Sequence, residues 1–284
     1  MNYAATDQGE IATTSRNGIR LYTAEDFDGM RKAGAVAAAC LDMIDDHVQP
    51  GVTTAQLDTL IREFVLDNGA LSATIGYRGY RHASCISLNH VICHGIPSDK
   101  VLKNGDIMNI DVTVIVDGWH GDTSRMYVAG TPKVKARRLI DTTYDALMAG
   151  IAVVKPGATL RDIGAAIQAV AEDAGFSIVR DFCGHGLGRA FHEPPNVVHY
   201  ASYRDKYLGK QEAPQTALRE GMFFTIEPMV NEGKPDVRML KDGWTAVTRD
   251  KSLSSQFEHS IGVTSDGCEI FTSSPAGRHR PLHD

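Results

Sequence analysis

Ile107-Met108-Asn109-Ile110-Asp111-Val112-Thr113-Val114-Ile115-Val116-Asp117-Gly118-Trp119-His120-Gly121-Asp122-Thr123-Ser124-Arg125-Met126-Tyr127-Val128 reads as two β-strands joined by an Asp-Gly turn. Side chains alternate along a strand, so Met108, Ile110, Val112, Val114 and Val116 fall on one face and Asn109, Asp111 and Thr113 on the other. With Asp117 and Gly118 as the turn, Thr113 lies opposite Asp122 and Asp111 opposite Ser124. Asp111 and Asp122 are then diagonal neighbours, about 7 to 8 Å apart. Two such carboxylates are either solvated on an open sheet face, share a proton, or bind a cation. The rest of the chain has to decide between these.

Upstream, a helix is expected from Thr23, with Asp26 as its capping partner, through Met30, Ala33, Ala37, Leu41 and Ile44 to His47. A second is expected after Thr53, capped with Gln56 and closed by Asn68-Gly69. A Gly/Tyr/Arg loop over 76–81 and a short strand at Cys85–Leu88 lead into the hairpin. Residues 1–22 lack sustained periodicity and are expected to form a flexible leader.

Beyond Pro132 the pattern starts again. A helix over 133–154 ends at Lys155-Pro156-Gly157, and another begins at Thr159 with Asp162 as its capping partner. Pro50-Gly51-x-Thr53 matches Pro156-Gly157-x-Thr159, and Asp67-x-Gly69 matches Asp173-x-Gly175 at the same offset. Leu102-x-x-Gly105 through Ile110-Asp111 matches Leu218-x-x-Gly221 through Ile226-Glu227. Two matching blocks in one order indicate an internal duplication with a period far longer than that of solenoid repeats, hence two related halves about a pseudo-twofold axis. Glu227 thereby occupies the position of Asp111. A counterpart of Asp122 is expected on the strand paired with that of Glu227, and Glu258 in Ser255–Ile261 is the better of two candidates.

His185 stands between Gly184 and Gly186, which allow close backbone approach. Imidazole with carboxylates suits a first-row divalent metal such as Mn, Fe, Co, Ni or Zn, whereas oxygen alone would suit Mg or Ca. Cys183 near His185, and Cys93 beside His94, also admit a reading as Cys/His nucleophile pairs. The five cysteines are odd in number and form no Cys-x-x-Cys, so free thiols are expected. The 284 residues are 43% hydrophobic, enough for a packed core. No stretch has the length of a membrane span, residues 1–18 lack the apolar core of a signal peptide, and a cytoplasmic protein is expected. A net charge of -6 without a basic run argues against nonspecific nucleic-acid binding.

With these residues in hand, the chain closely resembles the bacterial type I methionine aminopeptidases from about Thr23 to Thr272. The matching motifs are Cys93-His94-Gly95-Ile96-Pro97, Asn109–Thr113, His120–Ser124, Gly184-His185-Gly186, Phe191-His192-Glu193-Pro194, Phe224–Met229 and Gln256–His259. The resemblance implies an α+β pita-bread fold, a single catalytic domain over 23–284 with halves at about 23–130 and 131–272. It implies two divalent metal ions held by Asp111, Asp122, His185, Glu227 and Glu258, with Asp122 and Glu258 bridging. It further implies that His192 stabilises the oxyanion, that His94 hydrogen-bonds near the scissile amide, and that Glu227 shuttles protons. Tyr77, Tyr80, Cys85, Phe191 and Trp244 would line the methionine pocket. The implied partners are N-termini of nascent polypeptides at the ribosome, with a small second residue preferred and the enzyme a monomer.

Thr74 stands where many relatives have cysteine and Arg78 where histidine is common, which bears on the pocket's shape. The stretch 201–218 is longer and more charged than in compact relatives. Prolidase and aminopeptidase P share the fold but carry an additional N-terminal domain that about 22 residues are not expected to supply. Type II methionine aminopeptidases carry a helical insertion for which the interval from His192 to Glu227 leaves no room. A pita-bread protein without metals, serving only to bind, is the rival from another class.

Overall fold

The computed structural model describes residues 13–14 and 18–281. Strands Asp106–Val116 and Trp119–Ala129 form the expected hairpin, with Asp111 paired to Ser124 and Thr113 to Asp122. Asp117 at φ 50° and Gly118 at φ 80° make the turn, both in the left-handed region that a tight two-residue connection needs.

Two helices cover the apolar face, α1 (Ala24–Asp45) and α2 (Thr54–Asp67). Met108, Ile110, Val112 and Val114 pack there against Leu41, Ile44, Leu57 and Ile61, all almost fully buried. The capping boxes form as expected: Thr23 N–H donates to Asp26 Oδ2 at 2.8 Å and Thr53 N–H to Gln56 Oε1 at 2.8 Å. Helix α1 lies against the hairpin at backbone distance, since a Cβ on Gly121 would sit 2.4 Å from the Ala33 carbonyl. Gly121→Ala is therefore expected to destabilise the protein by about 1 to 3 kcal/mol, read as a lower thermal midpoint, because helix and strand would have to separate.

The second half repeats the scheme with α3 (Val134–Ala152) and α4 (Leu160–Asp173). Leu139, Ile140, Leu147, Ile163 and Ile167 pack against Phe224, Ile226, Val230, Phe257 and Ile261. The duplicated motifs bond alike. Gly51 N–H donates to Leu102 O at 2.9 Å and Gly157 N–H to Leu218 O at 3.0 Å, while Leu102 N–H donates to Val52 O and Leu218 N–H to Ala158 O. Gly105 and Gly221 share a positive φ of 87° and 83°.

The halves differ where the second bears its carboxylates. Phe223–Ile226 pairs with His259–Val263, and Met229–Asn231 with Ser254–Gln256, in one continuous register that sets Glu227 facing Glu258. Both residues lie in the gap between these short ladders rather than within a strand. Pro228 has no N–H to give the ladder, and Glu258 N–H donates instead to Ser124 O at 3.0 Å across the seam between the halves. The connection holding Asp242-Gly243-Trp244 includes strand Ala246–Thr248, which pairs with Val91–Cys93 of the first half.

The stretch 201–218 holds a two-stranded hairpin, Ser202–Asp205 with Gly209–Glu212. Of the expected leader, residues 1–12 and 15–17 lie outside the described residues. Its end is packed: Arg20–Leu21 pairs with Thr13–Thr14, and Ile19 and Tyr22 are buried, Tyr22 stacked on Phe223 at 4.3 Å. Among the described residues no helix is long and apolar enough to cross a membrane.

Candidate metal centre

The hairpin's polar face turns inward onto the second half. Asp122 is 3% exposed and Glu258 2%. Cross-seam bonds hold the two faces together: Asn109 Nδ2 donates to Gln256 O at 2.8 Å, Thr123 Oγ1 to Glu258 O at 2.7 Å and Ser260 Oγ to Asp122 O at 2.6 Å. Asp122 is thereby taken out of open solvent, and Asp111, partly exposed, faces the cavity between the halves and not an open sheet face.

Asp122, His185 and Glu258 bring one donor atom each to within 4.8 Å of one another. His185 Nε2 lies 3.4 Å from Asp122 Oδ2 and 3.8 Å from Glu227 Oε1. Glu227 and Asp111 line the same cavity, just outside that tightest group. Neighbours aim the carboxylates, with Thr113 Oγ1 donating to Asp122 Oδ1 at 2.7 Å and Thr225 Oγ1 to Glu227 Oε1 at 2.8 Å. Gln256 Nε2 reaches Glu227 Oε2 at 3.3 Å. His185 sits on strand Gly184–Gly186, and its glycines serve the sheet: a Cβ on Gly184 would meet Thr225 O at 2.3 Å and one on Gly186 would meet Pro194 O at 2.2 Å.

Burial, and then the charges of Asp122 and Glu227, push Asp111 and Glu258 well above the usual carboxylate range. Glu227 is raised to about 7, first by burial. At His185 burial works downward, but its bond to Asp122 and the Glu227 charge win, raising it to about 9. This donor set repels itself unless positive charge sits within it. Glu258 Oε1 is buried without a hydrogen-bond partner among the described residues. An orphaned carboxylate oxygen amid three more carboxylates and an imidazole nitrogen fits a first-row divalent cation.

The cavity above has a volume of about 480 Å³. Tyr77, Tyr80, Cys85, Phe191 and Trp244 all line it, as do His94 and His192. Tyr80 meets Trp244 edge-on at 5.0 Å and Tyr77 meets Phe191 at 4.8 Å. The His192 ring lies 4.0 Å from that of His185 and stacks on Tyr77 at 5.2 Å. Loss of solvation and the nearby His185 charge lower His192, although its outer edge is exposed; burial lowers His94.

Thr74 and Arg78 both line the cavity, so the two departures from the common pattern fall on its wall. Cys93 and Cys183 line it too, but burial raises both thiols, which removes the thiolate that a Cys/His nucleophile needs. All five cysteines are free. Gln256, Thr225 and Phe182, the last 5.5 Å from His94, were not singled out from the sequence. Gln256 and Thr225 lie inside the quoted motifs, whereas no local signal marks Phe182.

The sequence matches Metallopeptidase family M24 over residues 28–265. It is 55% identical over 258 residues to a methionine aminopeptidase of Rickettsia prowazekii, covering 90% of this chain and 96% of that protein. It is 52% identical over 256 residues to a methionine aminopeptidase of Escherichia coli K12, covering 89% of this chain and 94% of that one. A crystal structure of the Rickettsia prowazekii methionine aminopeptidase superposes with a TM-score of 0.85 over 89% of this chain and 99% of that one. The two-layered halves described above are thus the pita-bread fold. A match across nearly the whole catalytic body, with a carboxylate and imidazole cluster at its centre, establishes that the chain belongs to metallopeptidase family M24.

Proposed function

We propose that the protein is a metal-dependent aminopeptidase that removes the N-terminal methionine from newly made polypeptides, preferring a small second residue. The observation that carries this is the buried donor group Asp122, His185 and Glu258 at the base of an aromatic and sulfur-lined cavity. Relatives that are half identical and named methionine aminopeptidases support it.

Asp111, Asp122, His185, Glu227 and Glu258 would hold two divalent ions, Asp122 and Glu258 being shared. Bound there, the ions would supply Lewis acidity toward the scissile carbonyl and would lower the pKa of a water toward about 7. Glu227, raised to about 7, is matched to accept a proton from the attacking water and pass it to the leaving amine. His192, beside His185 and open to the cavity, donates a hydrogen bond to the oxyanion. His94 sits near the scissile amide. Tyr77, Tyr80, Cys85, Phe191 and Trp244 bury the thioether side chain by contact with ring faces and edges. These donors accept several first-row ions, and the supply of metal decides among Co, Mn, Fe, Zn and Ni.

Methionine release from Met-Gly-Met with added Mn or Co is the direct test. Release is expected, while a Pro-containing dipeptide of the prolidase type is expected to stay intact. Inactivity with every divalent metal would favour the binding-only reading and sink this one.

A further inference from the structure

Helix α2 lies on the outer layer of the first half, yet one of its side chains bonds the segment that forms one wall of the cavity. Asp58, adjacent to the fully buried Leu57, keeps its carboxylate 13% exposed. Its Oδ1 accepts from Ser84 N–H at 2.9 Å and from Ser84 Oγ at 2.7 Å. Its Oδ2 lies 3.3 Å from His82 Nδ1.

Both partners end the segment 73–84, which carries Thr74, Tyr77, Arg78 and Tyr80 into the cavity. The segment is also tied at its start, by Ala73 N–H to Thr113 O at 2.8 Å, internally, by Thr74 Oγ1 to His82 O at 2.8 Å and Gly76 N–H to Tyr80 O at 2.7 Å, and more loosely by Tyr80 OH to Gly95 O at 3.4 Å. Tyr80 OH donates to Ser84 O at 2.9 Å, so the ring that faces Trp244 hangs from the residue that Asp58 holds. Cys85 follows directly and pairs in register with Asp111. Ser84 is fully buried, and without Asp58 both its N–H and its hydroxyl would lose their acceptor.

We propose that Asp58 is a positioning residue that sets the width of the first-residue pocket by clamping the 73–84 segment to α2. This rests on the reading of Tyr80, Cys85 and Trp244 as that pocket. Asp58 touches neither substrate nor metal, so it acts on binding and on selectivity among first residues, not on the chemical step.

The test uses the metal-loaded full chain with Met-Gly-Met and its leucine and norleucine counterparts. Asp58→Ala is expected to raise KM for the methionine substrate about tenfold and narrow the methionine-over-leucine ratio of kcat/KM by a similar factor, with kcat and bound metal near wild type. Asp58→Asn, which keeps an acceptor for Ser84, is expected to stay within about threefold of wild type. Ser84→Ala removes only the hydroxyl, should shift KM and selectivity in the same direction by less, and carries the test if Asp58→Ala does not fold. Unchanged KM and selectivity in the folded variants, even with a lower thermal midpoint, would overturn the positioning role. Absence of methionine release by the wild type would instead overturn the pocket reading on which it stands.

Discussion

Glu258→Ala is expected to abolish peptidase activity, by about 10³-fold or more, and to lower the metal bound per chain below that of the wild type. Glu258 is one of the residues at which the two halves meet, its backbone N–H on Ser124 O and its side chain in the group with Asp122 and His185. Its Oε1 has no protein partner among the described residues, and a bound cation would satisfy it. On the proposed two-ion reading, removing a shared donor would weaken both sites, and several kcal/mol of transition-state stabilisation would go with them. The fold should survive. Without metal, Glu258 is a buried carboxylate among others of like charge, and the isosteric Glu258→Gln relieves that repulsion without opening a cavity. The metal-free Gln variant is therefore expected to melt no lower than the metal-free wild type. Metal analysis and calorimetry check both halves of this expectation, and full retention of both ions by Glu258→Ala would show that the carboxylate does not bridge.

His192→Ala should leave metal binding intact and lower kcat by about 10² to 10³-fold, the usual effect of losing one oxyanion donor. The ring reaches the cavity from the loop that follows Phe191, stacked between His185 and Tyr77, close to the donor group without being part of the tightest set. In the proposed oxyanion role its contribution would be made to charge that exists only in the transition state, so KM should move little. A variant in which KM rises while kcat holds would reassign His192 to substrate binding.

Much of this was legible along the chain. The hairpin's register followed from Asp117-Gly118 and strict alternation, and the structure keeps it at every pair from Asp106 to Ala129. The capping partners Thr53-Gln56 and Thr159-Asp162 mark their helices by rules that operate over three residues. The duplication was visible because equivalent turns need the same residues: Gly51 and Gly157 each close a helix pair onto a leucine of the following block. Less legible was anything set by partners distant in sequence. Asp58 carries no signal along the chain, because its partners His82 and Ser84 are reached only when the 73–84 segment folds back. Ile19 and Tyr22 carried no periodicity, yet Tyr22 is buried against Phe223 and Ile19 within the core of the second half.

By itself the sequence determined the elements, the register of the central hairpin, the two-fold repetition and, through its motifs, the set of residues gathered at the site. Those follow from local sterics and from turns and caps that span a few residues. Only the tertiary structure decided that the face bearing Asp111 and Asp122 is covered by the second half and looks into a cavity, and that Glu227 and Glu258 stand in a gap between ladders instead of within them. Burial is conferred by whatever covers a face, and here the cover comes from residues more than a hundred positions downstream, brought across the seam by Asn109, Thr123 and Ser124.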